Sequence, residues 1–200
     1  MNKFSANNIG FTIIELLVVI TIVAIISVLG AANYHRGNEQ VLLDGQVAQF
    51  AQDVRQVQEW ALSSKQLGAA TSYGYGIYIP AIVSGAPQKY YLYSDNSDPA
   101  TAAPPKKAQY DDADTIAKTV VLDKKIKIDS CSLCNPAKGM SVNYIAPDLT
   151  AKIVKEGTGG AGQNWGSMEF SVIGNPAMKR TVCVNRAGLV YVSKSGSCPE

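Results

Sequence analysis

Residues 10–15 of the chain read GFTIIE, and they open an apolar segment that continues to Ala32. The segment from Phe11 to Ala32 has 22 residues. As an α-helix with a rise of ~1.5 Å per residue it would be about 33 Å long. That length matches the roughly 30 Å thickness of a bilayer hydrocarbon core. The pattern therefore predicts a transmembrane helix over 11–32.

Glu15 is the only charged residue in this segment, four positions after Phe11. A charged side chain at the centre of a membrane helix costs about 2.5–3.5 kcal/mol on insertion scales, so intramembrane acids are usually paired. No basic residue lies between Phe11 and Ala32 to provide that pairing. We therefore expect Glu15 to meet a positive group on another molecule, as in a subunit that assembles. A single-pass anchor that does not assemble is the alternative, and it leaves Glu15 unexplained.

Residues 10–19, which read GFTIIELLVV, resemble the processing signature of type IV pilins and of the pseudopilins of type II secretion systems. In that family a membrane peptidase cuts after the glycine, and the new N-terminal phenylalanine is methylated on its amine. The glutamate then neutralises the amino terminus of a neighbouring subunit. The resemblance implies cleavage between Gly10 and Phe11, methylation of Phe11, and a docking role for Glu15.

The same resemblance implies partners and a location. The partners are other pilin or pseudopilin subunits, the prepilin peptidase/methyltransferase, the inner-membrane assembly platform, and the membrane before assembly. Residues 1–10 would be a leader peptide; a conventional secretory signal is disfavoured because its cleavage site would follow the apolar segment. The mature chain would be a single-pass inner (cytoplasmic) membrane protein with its head outside the cytoplasm, and later part of a filament in the periplasm or on the cell surface.

Beyond the predicted span, the pattern indicates an amphipathic helix over 33–67 that continues into the head. Apolar residues recur at intervals of three and four, which is typical of one helix face. They are Leu43, Val47, Phe50, Val54, Val57 and Ala61. We expect this face to pack in the core of the head, with a coiled coil between two copies as the alternative. The polar residues between them, Asp53 included, are expected to face solvent or another subunit, and the helix is expected to end between Ser63 and Gly68.

Residues 68–200 are expected to form a β-rich globular head. Short runs rich in β-branched and aromatic residues predict strands there. The predicted strands are 75–79, 89–93, 119–122, 141–145, 168–173, 180–184 and 189–192, with a hairpin connection at 185–188 and loops at 97–105 and 157–163. The predicted fold class is therefore α+β: a long N-terminal helix, membrane-spanning in its first half and amphipathic in its second, packed against an antiparallel β-sheet head.

The order of these head segments resembles the H-type minor pseudopilins and the T-type minor pilins. The resemblance depends on YGIY at 75–78, YLYSD at 91–95 and NRAG at 185–188. T-type minor pilins include DNA binders with a basic C-terminal segment, but here that segment offers only Arg186 and Lys194, in a chain of formal net charge +2. Two basic side chains can neutralise only a few phosphates of a nucleic acid, so nucleic-acid binding is not expected. A filament-tip adhesin or a DNA-binding minor pilin for DNA uptake is the alternative function.

The predicted head contains the four cysteines of the chain, Cys131, Cys134, Cys183 and Cys198. Disulfides persist outside the cytoplasm, and four cysteines allow three pairings. Closure of local loops favours Cys131–Cys134 and Cys183–Cys198, and a bridged C-terminal loop is common in pilin heads. Cross-pairing between the two regions is the rival. A redox CxxC or a four-cysteine zinc site is disfavoured, because Pro136 follows too soon for a long helix and the spacing suits zinc poorly.

Oxygen-bearing side chains in two parts of the head raise the question of a calcium site. The candidates are Asp95, Asn96, Asp98, Asp112 and Asp114. Ligands from both parts could surround one hard cation. Their spacing differs from that of an EF-hand loop, and local Asx turns are the favoured explanation of such residues. We therefore assign no metal site.

Catalytic motifs are lacking in the sequence. His35 is the only histidine, and the chain has neither a Gly-x-Ser-x-Gly elbow nor a phosphate-binding glycine loop. We expect a structural subunit, a minor pilin or pseudopilin of a type IV pilus-like or type II secretion filament. It would be a substrate of the prepilin peptidase, not an enzyme, and would need no cofactor.

Overall fold

The α+β class is confirmed by a computed structural model of the chain. The structure describes residues 12–68, 71–83, 88–98, 109–145, 150–157, 163–194 and 198, with the backbone alone at 29–35. The elements are α1 (Ile13–Ser63), β1 (Gly74–Ile79), β2 (Lys89–Asp95), β3 (Thr115–Val121), β4 (Ile126–Cys131), β5 (Met140–Ile145), β6 (Ala151–Lys155), β7 (Trp165–Val172), β8 (Asn175–Asn185) and β9 (Val190–Ser193).

The chain divides into two compact units, Met1–Val41 and Leu42–Glu200. The described part of the first unit consists of Thr12 and the N-terminal part of α1. The second unit contains the rest of α1 and the described strands.

The described strands form two antiparallel sheets. A five-stranded sheet has the order β3-β2-β1-β5-β6, and a four-stranded sheet has the order β4-β7-β8-β9. The head therefore contains two sheets, where the sequence predicted a single one. The hairpin predicted at 185–188 is confirmed, because it joins β8 to β9 and the Gly188 amide donates to the Asn185 carbonyl at 2.9 Å.

Two strands, β4 and β6, were not predicted. Strand β6 has five residues, two of them lysine, and so lacks the apolar and aromatic enrichment of the other strands. Strand β4 alternates Ile126, Lys127 and Ile128, with both isoleucines buried, but the run is short and ends in polar residues. The predicted loops at 97–105 and 157–163 lie largely outside the described residues.

The apolar face of α1 packs in the core of the second unit, as predicted. Its six residues, Leu43, Val47, Phe50, Val54, Val57 and Ala61, are at most 2% exposed. The Phe50 ring lies 5.0 Å from Tyr90 of β2 and 5.5 Å from Phe170 of β7, measured between ring centroids. This part of α1 therefore contacts both sheets.

Asp53 corrects the prediction that the polar residues of this helix face solvent. It is 2% exposed, and its carboxylate accepts a hydrogen bond from the Tyr90 hydroxyl at 2.6 Å. The Lys118 ammonium of β3 pairs with the other carboxylate oxygen at 2.7 Å. Burial and this hydrogen bond to Asp53 raise the pKa of Tyr90 far above its usual value. A buried carboxylate is tolerated here because both of its oxygens have strong donors.

Candidate functional site

The N-terminus of α1 is capped by Thr12. The Glu15 amide donates to the Thr12 hydroxyl oxygen at 3.3 Å, and the Leu16 amide donates to the Thr12 carbonyl at 3.2 Å. The Thr12 hydroxyl in turn lies 3.5 Å from the Glu15 carboxylate. Thr12 and Glu15 thus occupy the N-cap and N3 positions of the helix, where the helix dipole also favours a carboxylate. Glu15 therefore has a local role that the sequence analysis did not foresee, and its side chain is exposed.

Large apolar side chains follow Glu15 along the helix and are exposed. Between Ile13 and Val28 the exposed fraction of these side chains ranges from 50% at Val19 to 86% at Ile13. Exposed apolar surface of this extent is typical of a segment that contacts lipid or other proteins. Across the described part of the chain, no helix is long and apolar enough to span a membrane.

Two hydroxyl groups within this exposed segment are bonded to the helix itself. The Thr21 hydroxyl donates to the Leu17 carbonyl at 2.8 Å, and the Ser27 hydroxyl donates to the Val23 carbonyl at 2.7 Å. Bonding to the carbonyl four residues earlier satisfies a hydroxyl donor without water. The segment is therefore suited to an apolar environment despite these two polar residues.

The predicted processing residues Gly10 and Phe11 lie outside the described residues. The predicted span over 11–32 also includes side chains that are not described, so the span and the cleavage site stay predictions. Glu15, the predicted docking residue of the same motif, lies on the first turn of α1.

The four cysteines form two disulfides in the structure, Cys131–Cys134 and Cys183–Cys198. These are the two local pairings that the sequence favoured. The first closes a short loop at the end of β4, and the second joins β8 to the segment that follows β9.

The calcium candidates Asp95, Asn96 and Asp114 are brought together by hydrogen bonds. Asp95 accepts from the Ser97 amide at 2.9 Å, and Asp114 accepts from the Asn96 amide at 3.0 Å. Burial, the largest cause, raises the pKa of Asp95 to about 6 and that of Asp114 to about 7. Asp112 is exposed.

Within the ranges that the structure describes, no group of three or more His, Cys, Asp or Glu side chains is arranged to hold a metal ion. The hydrogen bond of Asp95 to the Ser97 amide is that of an Asx turn, whereas Asp114 accepts from the Asn96 and Asp111 amides that precede it in the chain. Calcium binding stays untested.

A groove on the five-stranded sheet was missed by the sequence analysis. It is open to solvent, has a volume of about 620 Å³ and lies where β1, β6 and two loops meet. We call it the tyrosine groove; it is lined by Tyr78, Tyr110, Asp111, Asp112, Ala113, Lys138 and Glu156. The alternation of tyrosines along β1 and β2 was a usable signal, but the approach of Tyr110 and Lys138 depends on tertiary structure.

The structure thus defines a class of protein: an N-terminal helix with exposed apolar side chains, followed by an antiparallel α+β head. Residues 5–31 match the model of the prokaryotic N-terminal methylation motif. The match supports a type IV pilin-like or pseudopilin precursor, and proteins with such motifs are structural rather than catalytic. It does not extend into the head, so the kind of head is not identified. No curated protein and no solved structure matches the chain significantly.

Proposed function

We propose that this protein is a structural subunit of a type IV pilus-like or type II secretion filament, a minor pilin or pseudopilin and not an enzyme. The observation that carries the proposal is the exposed apolar face of α1 from Ile13 to Val28, with Glu15 at its head, inside the matched methylation motif. Apolar surface exposed to water costs about 25 cal/mol per Å², so this face must be covered, first by lipid and then by neighbouring subunits.

The proposed maturation starts with cleavage between Gly10 and Phe11 by the prepilin peptidase, which leaves Phe11 to be N-methylated. The proposed segments are a leader at 1–10, a transmembrane and assembly helix at 11–32, an amphipathic helix at 33–67 and the head at 68–200. Before assembly the chain would be a single-pass protein of the inner membrane with its head outside the cytoplasm. The assembly platform would then transfer it into a filament.

In the filament, the Glu15 carboxylate of one subunit would pair with the Phe11 ammonium of another. This pairing would provide Glu15 with the positive group that the described helix lacks nearby. Because a charged group in an apolar environment is costly without a partner, the pair would also favour one alignment of neighbouring helices.

We propose that the head is of the type found in the H-type minor pseudopilins or in the T-type minor pilins. The support is the resemblance of 75–78, 91–95 and 185–188, together with the location of all three segments in or beside strands of the two sheets. The first of these kinds would make the filament a periplasmic secretion pseudopilus, and the second a surface pilus.

The test of the proposed function is a Glu15→Gln variant, produced in cells that assemble the cognate filament. We expect normal cleavage and membrane insertion, but at least about tenfold less variant in sheared or isolated filaments, since 1.4 kcal/mol of lost pairing corresponds to a factor of ten. Quantitative immunoblotting of the filament fraction measures this. Glu59→Gln, an exposed glutamate on the same helix, is the matched control. Incorporation of Glu15→Gln at the wild-type level would contradict the docking role.

Processing is tested separately by a Gly10→Val variant. A bulky residue at this position should block the peptidase, so the variant should keep residues 1–10 and lack N-methylation of Phe11. Intact-mass spectrometry of the extracted protein distinguishes the two forms, and Asn7→Val in the leader is the control. Normal maturation of Gly10→Val would place the cleavage site elsewhere.

A further inference from the structure

The tyrosine groove lies on the face of the five-stranded sheet that is turned away from α1. Tyr90 of β2 contacts Phe50 of the helix. Successive side chains of a strand point to opposite faces, so Tyr91 points the other way. Tyr78 is the direct partner of Tyr91 in the antiparallel register of β1 and β2, and it shares that outer face.

Three tyrosine rings on this face are nearly parallel. Tyr110 stacks on Tyr78 with 4.3 Å between ring centroids and 10° between ring planes. Tyr91 lies 6.0 Å from Tyr78 and 6.2 Å from Tyr110, with interplanar angles of 13° and 5°. The ring of Tyr93, which is fully buried, meets Tyr110 edge-on at 5.2 Å. The rings are thus held by one another before any ligand arrives.

Polar contacts fix the two ends of this aromatic group. The Tyr78 hydroxyl donates to the Lys138 carbonyl at 2.8 Å. The Tyr110 amide donates to the Glu156 carboxylate at 3.1 Å, and the same carboxylate oxygen accepts the Ser141 hydroxyl. Glu156 is only 4% exposed, so its carboxylate is a built part of the wall and not a mobile surface charge.

The charge of the groove is predominantly negative. Its lining includes the carboxylates of Asp111, Asp112 and Glu156 but one ammonium group, that of Lys138. The faces of aromatic rings add further negative potential, because the quadrupole of the ring is negative above and below its plane. The potential in the groove therefore disfavours anions and favours a cationic ligand.

We propose that the tyrosine groove binds an organic cation, either a protonated amine or a guanidinium group. Aromatic faces within about 6 Å of a cation attract it, and desolvated sites gain most. The same ring group already shows this interaction at its edge, where the Lys89 ammonium lies 5.3 Å from the Tyr91 centroid. The cation can come from a small amine or from a basic side chain of another protein. This proposal does not depend on filament assembly.

The test is a titration of the full-length chain in a nonionic polyoxyethylene detergent, followed by NMR of ring-labelled tyrosine. The probes are methylammonium chloride and ethylguanidinium chloride, with sodium chloride at equal ionic strength as reference. We expect saturable shifts of the Tyr78 and Tyr110 ring signals with the organic cations and none with sodium. A Gly-Arg-Gly amide that binds more tightly than ethylguanidinium would identify a protein side chain as the source; equal or weaker binding would identify a small amine.

Two variants assign the binding to the groove. Tyr110→Leu should weaken the affinity for ethylguanidinium roughly tenfold through loss of a ring face. Asp112→Asn, an exposed position, should weaken it about threefold and tests the site even if Tyr110→Leu folds poorly. Tyr191→Leu, a half-exposed tyrosine on β9 of the other sheet, should have no effect. Equal responses to sodium and organic cations, insensitivity to both variants, or saturable binding of a neutral methyl glycoside in place of the cations would overturn the proposal.

Discussion

Asp53 is the residue whose location deviates most from its sequence pattern. Its position in the helical pattern lies outside the apolar face of α1, where side chains are expected to be solvated. The structure instead buries Asp53 against Tyr90 and Lys118. The local pattern does not indicate this burial, because the two closest donors to its carboxylate, Tyr90 and Lys118, are 37 and 65 residues away in the sequence. By contrast, the burial of Phe50 and Val54 follows directly from their helical spacing.

The first prediction at this scale is that Asp53→Ala lowers the free energy of unfolding by about 1–3 kcal/mol, as expected when a buried hydrogen-bonding group loses its partner. The variant leaves the buried hydroxyl of Tyr90 without its acceptor. Denaturant unfolding of the full chain, followed by tryptophan fluorescence, measures the change. Glu59→Ala, an exposed position on the same helix, should change stability by no more than about 0.5 kcal/mol. A similar small effect for Asp53→Ala would show that the network contributes little.

At the scale of elements, two glycines show which properties of a helix or a strand can be predicted from the local sequence and which depend on tertiary contacts. Gly45 lies in the interior of α1 with no heavy atom within 4 Å of where a Cβ would be. Gly76 lies on β1, where an added Cβ would be 2.6 Å from the ring of the fully buried Tyr93. The cost of glycine in a helix is predictable from sequence, whereas the close approach of Tyr93 requires the β1–β2 register.

The second prediction concerns this pair of glycines. Gly45→Ala should raise the free energy of unfolding by about 0.5–1 kcal/mol, because alanine favours the helix and meets no neighbour. Gly76→Ala should lower it by about 1–3 kcal/mol, because the added methyl group clashes with a ring that is packed on all sides. The same unfolding measurement serves for both, and each variant is the other's control. If both variants changed the free energy of unfolding by the same amount and in the same direction, the space around each glycine would not explain the effect of the substitution.

At the scale of the whole molecule, the class of fold and the packed helix face could be predicted from the sequence, and the division into two sheets could not. Hydrophobic periodicity reports which face of an element is buried, but it does not report which strands are neighbours. Strands β4 and β5 illustrate this, because they follow one another in the chain and belong to different sheets. The tyrosine groove could not be predicted from the sequence for the same reason. Its lining comes from residues between 78 and 156 that only the sheet order brings together.

The third prediction is a pH dependence of folding that arises from Asp95 and Asp114. Their pKa values rise from 3.8 to about 6 and about 7, so the folded chain holds these protons more tightly than the unfolded chain does. The stability that they contribute is therefore fully present below about pH 4 and is lost as the pH rises through about 6 and 7. Burial is the largest cause of the raised pKa of Asp95, and the charge of Asp111 raises this pKa further. Three groups lower it: the Ser97 amide, the Asn143 side-chain amide and Lys152.

An Asp114→Asn variant isolates this effect. Its stability relative to the wild type should increase between pH 5 and pH 8, because the variant has no carboxyl group to deprotonate at a buried site. Denaturant unfolding at several pH values gives the difference directly. Asp112→Asn, at an exposed position in the same loop, is the matched control. A parallel pH profile for Asp114→Asn and the wild type would contradict the assignment.

The internally bonded hydroxyls of Thr21 and Ser27 have a consequence for how copies of the helix would align. Between Ile13 and Val28 these two side chains are the neutral polar ones, and each donates its proton to its own helix. Contacts between apolar side chains tolerate a shift of one helix turn better than hydrogen bonds do. In a filament, the polar contact left within this stretch to fix the axial position of neighbouring helices would be that of the Glu15 carboxylate. Loss of that single carboxylate would leave neighbouring helices attracted to one another but without a fixed offset.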